Sequence, residues 1–183
     1  MASNASSLNA EAFDNRRAGF QVPGVNKRQL VTTILEQLRD DLALYQKAAG
    51  AARAEATDEQ SKAENKYDTR GLEASYLARG QSRQAAELAQ AIEQFEKLAV
   101  RDFSESDPID TGAFVELQNG KETNHYFIGP RAGGTEVTFN RTEVLVITPE
   151  SPLGSQLIGK RTGEKCVFEL AGQKEQFEVA RVA

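Results

Sequence analysis

Two segments of the chain repeat apolar residues at alternating intervals of four and three positions. In the first segment the repeating positions are Val31, Leu35, Leu38, Leu42, Tyr45, Ala49, Ala52 and Ala56. In the second they are Ala74, Leu77, Gln81, Gln84, Leu88, Ala91, Phe95 and Leu98. This spacing places the residues on one stripe of a helix and is typical of a coiled-coil seam. The pattern therefore predicts two long helices within residues 27–100 that pack against each other.

An antiparallel arrangement pairs every member of the first seam with a member of the second, because the residue numbers of facing pairs have a nearly constant sum. Half of that sum falls at Glu64-Asn65, so the pattern predicts the turn of a helical hairpin there. A helix from Val31 to this turn would be about 45–50 Å long. Small alanines fill both seams near the turn, so we expect a slim distal half of low local stability.

After a polar linker over residues 101–112, the hydrophobic period changes to two. Strands are predicted at 113–117, 123–128, 135–139, 143–148, 165–170 and 175–182. Asn119-Gly120 predicts a tight hairpin turn between the first two strands. Ser151 and Pro152 predict the N-cap and first residue of a short helix. Residues 113–183 are thus expected to form a small antiparallel β domain, which makes the chain a two-domain α+β protein.

The N-terminal residues 1–26 are rich in Ser, Asn and Ala and follow neither period. We expect this segment to be disordered, because it has too little apolar surface to form a core. A partner-binding arm is the alternative interpretation.

Composition limits the chemistry available to the chain. Its 183 residues carry a net charge of −5, which does not indicate a general nucleic-acid coat. No apolar run is long enough to span a membrane, and the N-terminus lacks a secretory-signal pattern, so we expect a cytoplasmic protein. Cys166 and His125 each stand alone, which excludes an internal disulfide and leaves too few ligands for structural zinc. We interpret Cys166 as a core residue and His125 as structural or solvent-facing. Chemistry is then expected from carboxylates or from a partner.

A family resemblance appears before the last two predicted strands. The segments Ser151-Pro152-Leu153-Gly154, Leu157-Ile158-Gly159-Lys160 and Gly163-Glu164 resemble the C-terminal domain of the Gre family of bacterial transcript-cleavage factors. Glu64-Asn65, with Tyr67 nearby, resembles the tip of that family's coiled coil. The order of hairpin, linker and FKBP-like β domain also agrees, over residues 27–183.

The resemblance implies a monomeric protein that binds RNA polymerase and has no independent enzymatic activity. Its hairpin would enter the secondary channel, where tip carboxylates share Mg²⁺ with the polymerase active site and help to cleave backtracked nascent RNA near its 3′ end. The partner-binding residues that the resemblance implies are Asn65, Tyr67, Ser151, Pro152, Leu153, Gly154, Gly159 and Lys160. Tyr67 has two interpretations, packing of the tip or stacking on a base. The FKBP-like resemblance alone does not imply prolyl isomerase activity, because the C-terminal half has few aromatic residues.

The candidate catalytic residues at the tip are Glu64, Asp68, Asp58 and Glu59, and the candidate Mg²⁺ ligands are Glu64 and Asp68. Glu64 matches the family motif, whereas the other three are candidates by proximity. The family's cleavage-active tips carry an Asp three residues before this Glu, and here that position is Ser61. Asp58, Glu59 and Asp68 have an alternative role as helix caps, since Thr57-Asp58-Glu59-Gln60 has the form of a capping box.

Three functions remain open at this point. The first is a Gre-like elongation factor that stimulates transcript cleavage, and the second is a non-cleaving regulator that occupies the secondary channel, which Ser61 favours. The third is a coiled-coil interaction protein unrelated to polymerase. Arg70, Arg79 and Arg83 on the second helix are either a solvated face or contacts to RNA or polymerase.

Overall fold

A computed structural model describes residues 25–57, 70–120, 122–170 and 173–183. Its elements, in chain order, are α1 (Lys27–Thr57), α2 (Arg70–Glu96), β1 (Phe114–Asn119), β2 (Glu122–Ile128), β3 (Glu136–Phe139), β4 (Thr142–Ile147), α3 (Pro152–Leu157), β5 (Lys165–Leu170) and β6 (Gln173–Val182). The predicted α+β class, a long helical hairpin followed by a small β domain, is confirmed.

The α1 helix uses the predicted seam. All of its seam positions, from Val31 to Ala56, are buried or half-buried. The side chain of Asn26 accepts a hydrogen bond from the Gln29 backbone N–H at 3.1 Å, which caps the first turn. Leu30 and Ile34 are also fully buried, and they widen the apolar stripe at the end of the hairpin nearest the sheet.

The α2 helix departs from the predicted seam at two positions, Leu77 and Gln84, whereas Ala91 is buried as predicted. Leu77 is 52% exposed and Gln84 is exposed, whereas Ala78 is buried and Ala85 is half-buried. The physical reason is that this frame keeps the Gln84 amide in water and faces alanine toward the alanines of α1, so that the helices approach closely. Ala74, Gln81, Leu88 and Phe95 belong to both frames, which is why the spacing alone did not separate them.

Polar pairs along the flanks hold the two helices together. The Arg39 guanidinium binds the Glu96 carboxylate at 2.8 Å near the sheet, and Arg53 donates to the Ser82 hydroxyl at 2.7 Å in the distal half. Both pairs are exposed, so each contributes little stability by itself. The predicted turn at Glu64-Asn65 lies outside the described residues.

The β domain is one six-stranded sheet with the order β3-β4-β2-β1-β6-β5. Every neighbouring pair is antiparallel except β2 and β4, which are parallel, so the prediction of a purely antiparallel sheet is wrong at this pair. The reason is that β3 returns the chain along the outer edge before β4 inserts beside β2. The predicted turn at Asn119-Gly120 is confirmed, since Asn119 pairs with Glu122 and Gly120 has φ 60°.

Two hydrophobic cores cover the two faces of the sheet. One face packs on the base of the hairpin, where Leu30, Ile34 and Phe95 meet Phe127 and Val146. The opposite face forms a second core with α3 and the outer hairpin of β5 and β6. Within the described residues, the hairpin is therefore attached to the sheet only through its base, and the rest of its described length extends away from the β domain.

The difference between the two possible α2 seams gives a test on adjacent residues. Ala78→Gln inserts a long polar side chain between the helices and should lower the free energy of unfolding by about 1–3 kcal/mol. Leu77→Gln changes an exposed side chain and should stay within about 0.5 kcal/mol of the unmodified protein. Urea unfolding followed by circular dichroism measures both. If Leu77→Gln lowered the free energy of unfolding more than Ala78→Gln, the predicted seam through Leu77 would be correct.

Candidate functional site

The candidate catalytic segment lies between the two helices of the hairpin. Outside the described residues, between the end of α1 and the start of α2, are Asp58, Glu59, Ser61, Glu64, Asn65, Tyr67 and Asp68. Their predicted roles stay predictions. The structure does define where the segment begins: α1 has 31 residues, so its far end is about 45 Å from its base.

The end of α1 tests the alternative that Thr57-Asp58-Glu59-Gln60 forms a capping box. Thr57 is the last residue of the helix, and its hydroxyl donates to the Arg53 carbonyl oxygen at 3.0 Å. The N-cap residue of a capping box would instead precede a helix and accept a backbone N–H. The N-cap role of Thr57 in the proposed capping box is therefore wrong, and the remaining residues of that box lie outside the described part.

The distal stem carries arginines on both helices. Arg53 and Arg79 line a shallow cleft of about 530 Å³ together with Ala56, Thr57, Ser75, Ala78 and Ser82. Among the described residues, no carboxylate lies within ion-pair distance of Arg53 or Arg79. Arg83, one turn further, pairs with Glu87 at 3.0 Å. Among the described residues, Arg79 therefore has no anionic partner, Arg53 donates only to the Ser82 hydroxyl, and Arg83 forms an ion pair.

Apolar side chains are also exposed on this part of the hairpin. Leu72 and Tyr76, one turn apart on α2, are 56% and 66% exposed, and Leu77 is also exposed. Contiguous apolar exposure of this kind is typical of a surface that contacts another molecule. The distal stem therefore offers apolar and guanidinium groups side by side.

The Ser151–Gly154 motif builds the start of α3. The Ser151 hydroxyl accepts a hydrogen bond from the Gly154 N–H at 3.0 Å and donates to the Thr148 carbonyl at 2.8 Å. A Cβ atom on Gly154 would lie 1.9 Å from that carbonyl oxygen, so no other residue fits there. Leu153 is half-buried against the second core. The predicted N-cap Ser151 and first-turn Pro152 are confirmed.

The segment after α3 is tied to the linker. Gly159 has φ 84°, a left-handed conformation that favours glycine, and its N–H donates to the Ile109 carbonyl at 2.9 Å. The Ile109 N–H in turn donates to the Lys160 carbonyl at 2.7 Å. The Lys160 ammonium lies 3.8 Å from the Glu164 carboxylate. These contacts place one end of α3 beside the linker.

The implied partner-binding residues of the β domain divide into two groups. Gly154 is buried, and Ser151, Leu153 and Lys160 are half-buried in contacts that form the fold. Pro152 and Gly159 are exposed, at the two ends of α3. Ile158, beside Gly159, is an exposed apolar residue that the sequence did not single out. The accessible part of this motif is therefore a small apolar surface.

The junction between hairpin and β domain contains residues that the sequence analysis missed. The Lys27 ammonium donates to the Arg101 carbonyl oxygen and lies 4.5 Å from the centre of the Phe103 ring. The Arg101 guanidinium lies 3.7 Å from the centre of the same ring. Burial lowers the pKa of Lys27, and the nearby Asp102 opposes that effect. A single aromatic residue within a polar linker, Phe103, was the available signal.

The two residues with unusual chemistry are both structural. Cys166 is 4% exposed, and burial raises the pKa of its thiol, which lies 3.6 Å from the Phe177 carbonyl oxygen. His125 stacks on Phe114 with the ring centres 5.9 Å apart. The core role predicted for Cys166 is confirmed, and the stacking of His125 agrees with the structural interpretation of this residue.

The described residues form neither a metal-binding cluster nor a membrane-spanning helix. No group of three or more His, Cys, Asp or Glu side chains could hold a metal ion within the described ranges. No described helix is both long enough and apolar enough to cross a membrane.

Comparison with known proteins identifies the C-terminal domain. Residues 104–183 match the family model described as transcription elongation factor, GreA/GreB, C-terminal. A comparison with curated proteins gives no significant match.

Several solved structures match part of the chain. GreA factor homolog 1 of Thermus thermophilus is 19% identical, with 85% of this chain and 93% of that chain covered and a TM-score of 0.34. The Thermus aquaticus homolog is 23% identical, with the same coverage and a TM-score of 0.36. A GreA/GreB factor from Nitrosomonas europaea is 15% identical over 61% of this chain and 91% of that chain, with a TM-score of 0.30.

The family assignment therefore comes from the match of residues 104–183 alone. The resemblance carried by the Ser151–Gly154 and Leu157–Lys160 segments is confirmed: residues 104–183 form a domain of the GreA/GreB C-terminal family of transcription elongation factors.

Proposed function

We propose that the protein binds RNA polymerase, inserts its helical hairpin into the secondary channel and stimulates cleavage of backtracked nascent RNA. The observation that carries this proposal is the Gre-family C-terminal domain joined to a slim two-helix stem. Within the described residues, α1 carries Thr57 about 45 Å from the base of the hairpin. The family match argues against an interaction protein unrelated to transcription.

The chemistry would be divided between two proteins. Glu64 and Asp68 are proposed to supply carboxylate oxygens to a Mg²⁺ ion that the polymerase also holds. Carboxylates suit this task, because Mg²⁺ prefers oxygen ligands and takes only one or two from a given protein while keeping several waters. Such an ion would activate the attacking water and stabilise the leaving oxygen. Asp58 and Glu59 are further candidates for the second carboxylate.

The distal stem fits the surroundings that this proposal requires. Arg53 and Arg79 lack carboxylate partners among the described residues and would meet the phosphates of backtracked RNA, since a guanidinium binds phosphate oxygens in pairs. Leu72 and Tyr76 would meet the channel wall. Glu87 already pairs with Arg83, which makes Arg83 a weaker candidate for the same contact.

A second candidate function keeps the binding without the chemistry. Ser61 stands where the resemblance leads us to expect an Asp, and a hydroxyl cannot replace a carboxylate as a charged Mg²⁺ ligand. A protein with this tip would occupy the secondary channel and regulate initiation or elongation without cleavage. The two functions differ in their products, and so one assay separates them.

The tip carboxylate provides that assay. Purified protein is added to stalled, backtracked elongation complexes with Mg²⁺, and short 3′ RNA fragments are measured. We expect Glu64→Ala to reduce the cleavage rate at least tenfold, because a metal ligand is removed. Polymerase affinity, measured in parallel, should stay within about twofold, corresponding to less than about 0.5 kcal/mol.

The matched variant at the same tip is Ser61→Asp, which restores the missing carboxylate. Faster cleavage by Ser61→Asp than by the unmodified protein would show that Ser61 limits the reaction. Tight binding with no fragments from either form would eliminate the cleavage function and support the regulator. Absence of binding to polymerase would contradict both.

The exposed surface at α3 generates a separate prediction about binding. Ile158→Glu places a charge on the apolar surface and should weaken polymerase binding about tenfold or more, corresponding to about 1.4 kcal/mol. Val167→Glu is the matched control, because Val167 is an exposed apolar residue on β5 that lies outside the motif segments. Surface plasmon resonance with immobilised polymerase gives both affinities. Equal weakening by the two variants, or none, would exclude the α3 surface as the binding site.

A further inference from the structure

The base of the hairpin meets the sheet through one closely packed contact. Phe95, in the last turn of α2, is 1% exposed, and its ring centre lies 6.2 Å from that of Phe127 on β2. The two rings are inclined by 28°, so they are stacked with an offset. Both belong to the core that joins the hairpin to the sheet. Their packing therefore contributes to the angle at which the stem leaves the β domain.

Gly129 allows the Phe95 ring to pack closely against the sheet, because glycine has no side chain. A Cβ atom at this position would lie 2.7 Å from Cζ of Phe95, 2.8 Å from Cγ1 of Val146 and 3.0 Å from the Arg131 carbonyl oxygen. Real Cβ atoms do not approach other atoms so closely, and the first two neighbours are buried side chains that cannot swing into solvent. The backbone of Gly129 is not in the left-handed region. The position thus needs glycine for space and not for its conformational freedom.

A second contact holds the other helix on the same domain. Lys27 is the first residue of α1, and its ammonium is fixed between the Arg101 carbonyl and the face of Phe103. Each helix of the hairpin is consequently attached near its base, α1 through Lys27 in addition to its core residues Leu30 and Ile34, and α2 through Phe95. Two attachment points define a direction, whereas one would act as a pivot.

The length of the stem magnifies any change at these points. The far end of α1 is about 45 Å from its base, so a tilt of about 10° would move it by about 8 Å. A Mg²⁺–oxygen distance is only about 2.1 Å, and octahedral geometry tolerates little deviation. A group carried on this stem is therefore aligned only if the base is held rigidly.

We propose that Gly129 is a positioning residue: by leaving space for the Phe95 ring, it sets the inclination of the hairpin on the β domain and so aims the tip. The aiming of the tip at a reaction centre depends on the proposed function, whereas the inclination itself is a property of the free protein. The two parts can therefore be tested separately.

The inclination is measured on the free protein by electron paramagnetic resonance between two spin labels. One label replaces Ala54, exposed on the distal part of α1, and the other replaces Thr138 on β3 or Val167 on β5, with Cys166→Ala in all forms. Because β3 and β5 are opposite edges of the sheet, a tilt toward one edge shortens one distance and lengthens the other. We expect Gly129→Ala to shift at least one distance by about 3 Å or more, as a tilt of a few degrees would.

Two further variants separate positioning from general damage. Gly80→Ala is the matched control, since a Cβ atom there meets nothing within 4 Å, and it should leave both distances unchanged. Phe95→Leu removes the Cζ atom that the new Cβ would strike, so Gly129→Ala combined with Phe95→Leu should return the distances toward those of the unmodified protein. The double variant also serves if Gly129→Ala alone fails to fold.

The functional part uses the cleavage assay and the affinity measurement. Gly129→Ala should lower the cleavage rate at least tenfold, and the double variant should regain most of that rate. Polymerase affinity should be unchanged in both variants, because neither substitution alters the α3 surface. Unchanged label distances in Gly129→Ala, or a double variant that remains as tilted as Gly129→Ala, would overturn the inference whatever the polymerase assays give. A shift with rescue in a protein that does not act on polymerase would support the positioning role and reject the proposed function.

Discussion

The hydrophobic core shared by the hairpin base and one sheet face is the interaction on which the other features depend. A two-helix hairpin with an alanine seam buries little apolar area along its distal half, and buried area supplies about 25 cal/mol per Å². Near the sheet, Leu30, Ile34 and Phe95 bury large side chains against Phe127. The helices are thus stabilised mainly at one end. The arrangement leaves the distal stem slim, and it concentrates control of the stem's direction at the base.

The same reasoning explains what the Ser151–Gly154 motif does. Its serine caps α3, and its glycine lets that helix approach the Thr148 carbonyl, so the motif stabilises the local fold. Gly159 and Ile109 then attach the end of α3 to the linker. The accessible residues, Pro152 and Ile158, owe their positions to these buried contacts. Substitutions at the buried members would therefore alter the shape of the surface that we propose for polymerase binding.

Local patterns predicted the parts of the structure that local interactions determine. The α1 seam, the Asn119-Gly120 turn and the Ser151 cap depend on residues close in sequence, and all three are found as expected. The α2 seam was wrong only at Leu77 and Gln84, because the spacing allows two frames there and only the facing helix decides between Leu77 and Ala78. The parallel pairing of β2 and β4 depends on the order of strands across the sheet, which alternation within a strand does not record.

The contacts that aim the stem were unpredictable for a related reason. Gly129 follows a strand and precedes Pro130, so its sequence context indicates an ordinary turn glycine. Its role comes from Phe95, a residue of another domain, and no local signal connects the two. The reverse holds for the candidate carboxylates. A local motif predicts Glu64, but the role proposed for it would depend on the position of the stem and on groups that polymerase would supply.

The nature of the second attachment point completes this account of the base. An apolar side chain in place of Lys27 could slide over Phe103, because hydrophobic contact has no direction. The Lys27 ammonium donates to one carbonyl oxygen and lies over one ring face, so few positions satisfy both contacts. Any arrangement that breaks these contacts would leave a buried charge without a partner, which is unfavourable. Burying this charge costs free energy, and the same burial lowers the pKa of Lys27. That cost is consistent with a contact whose value is orientation, since a stem of this length needs a fixed direction more than it needs additional stability.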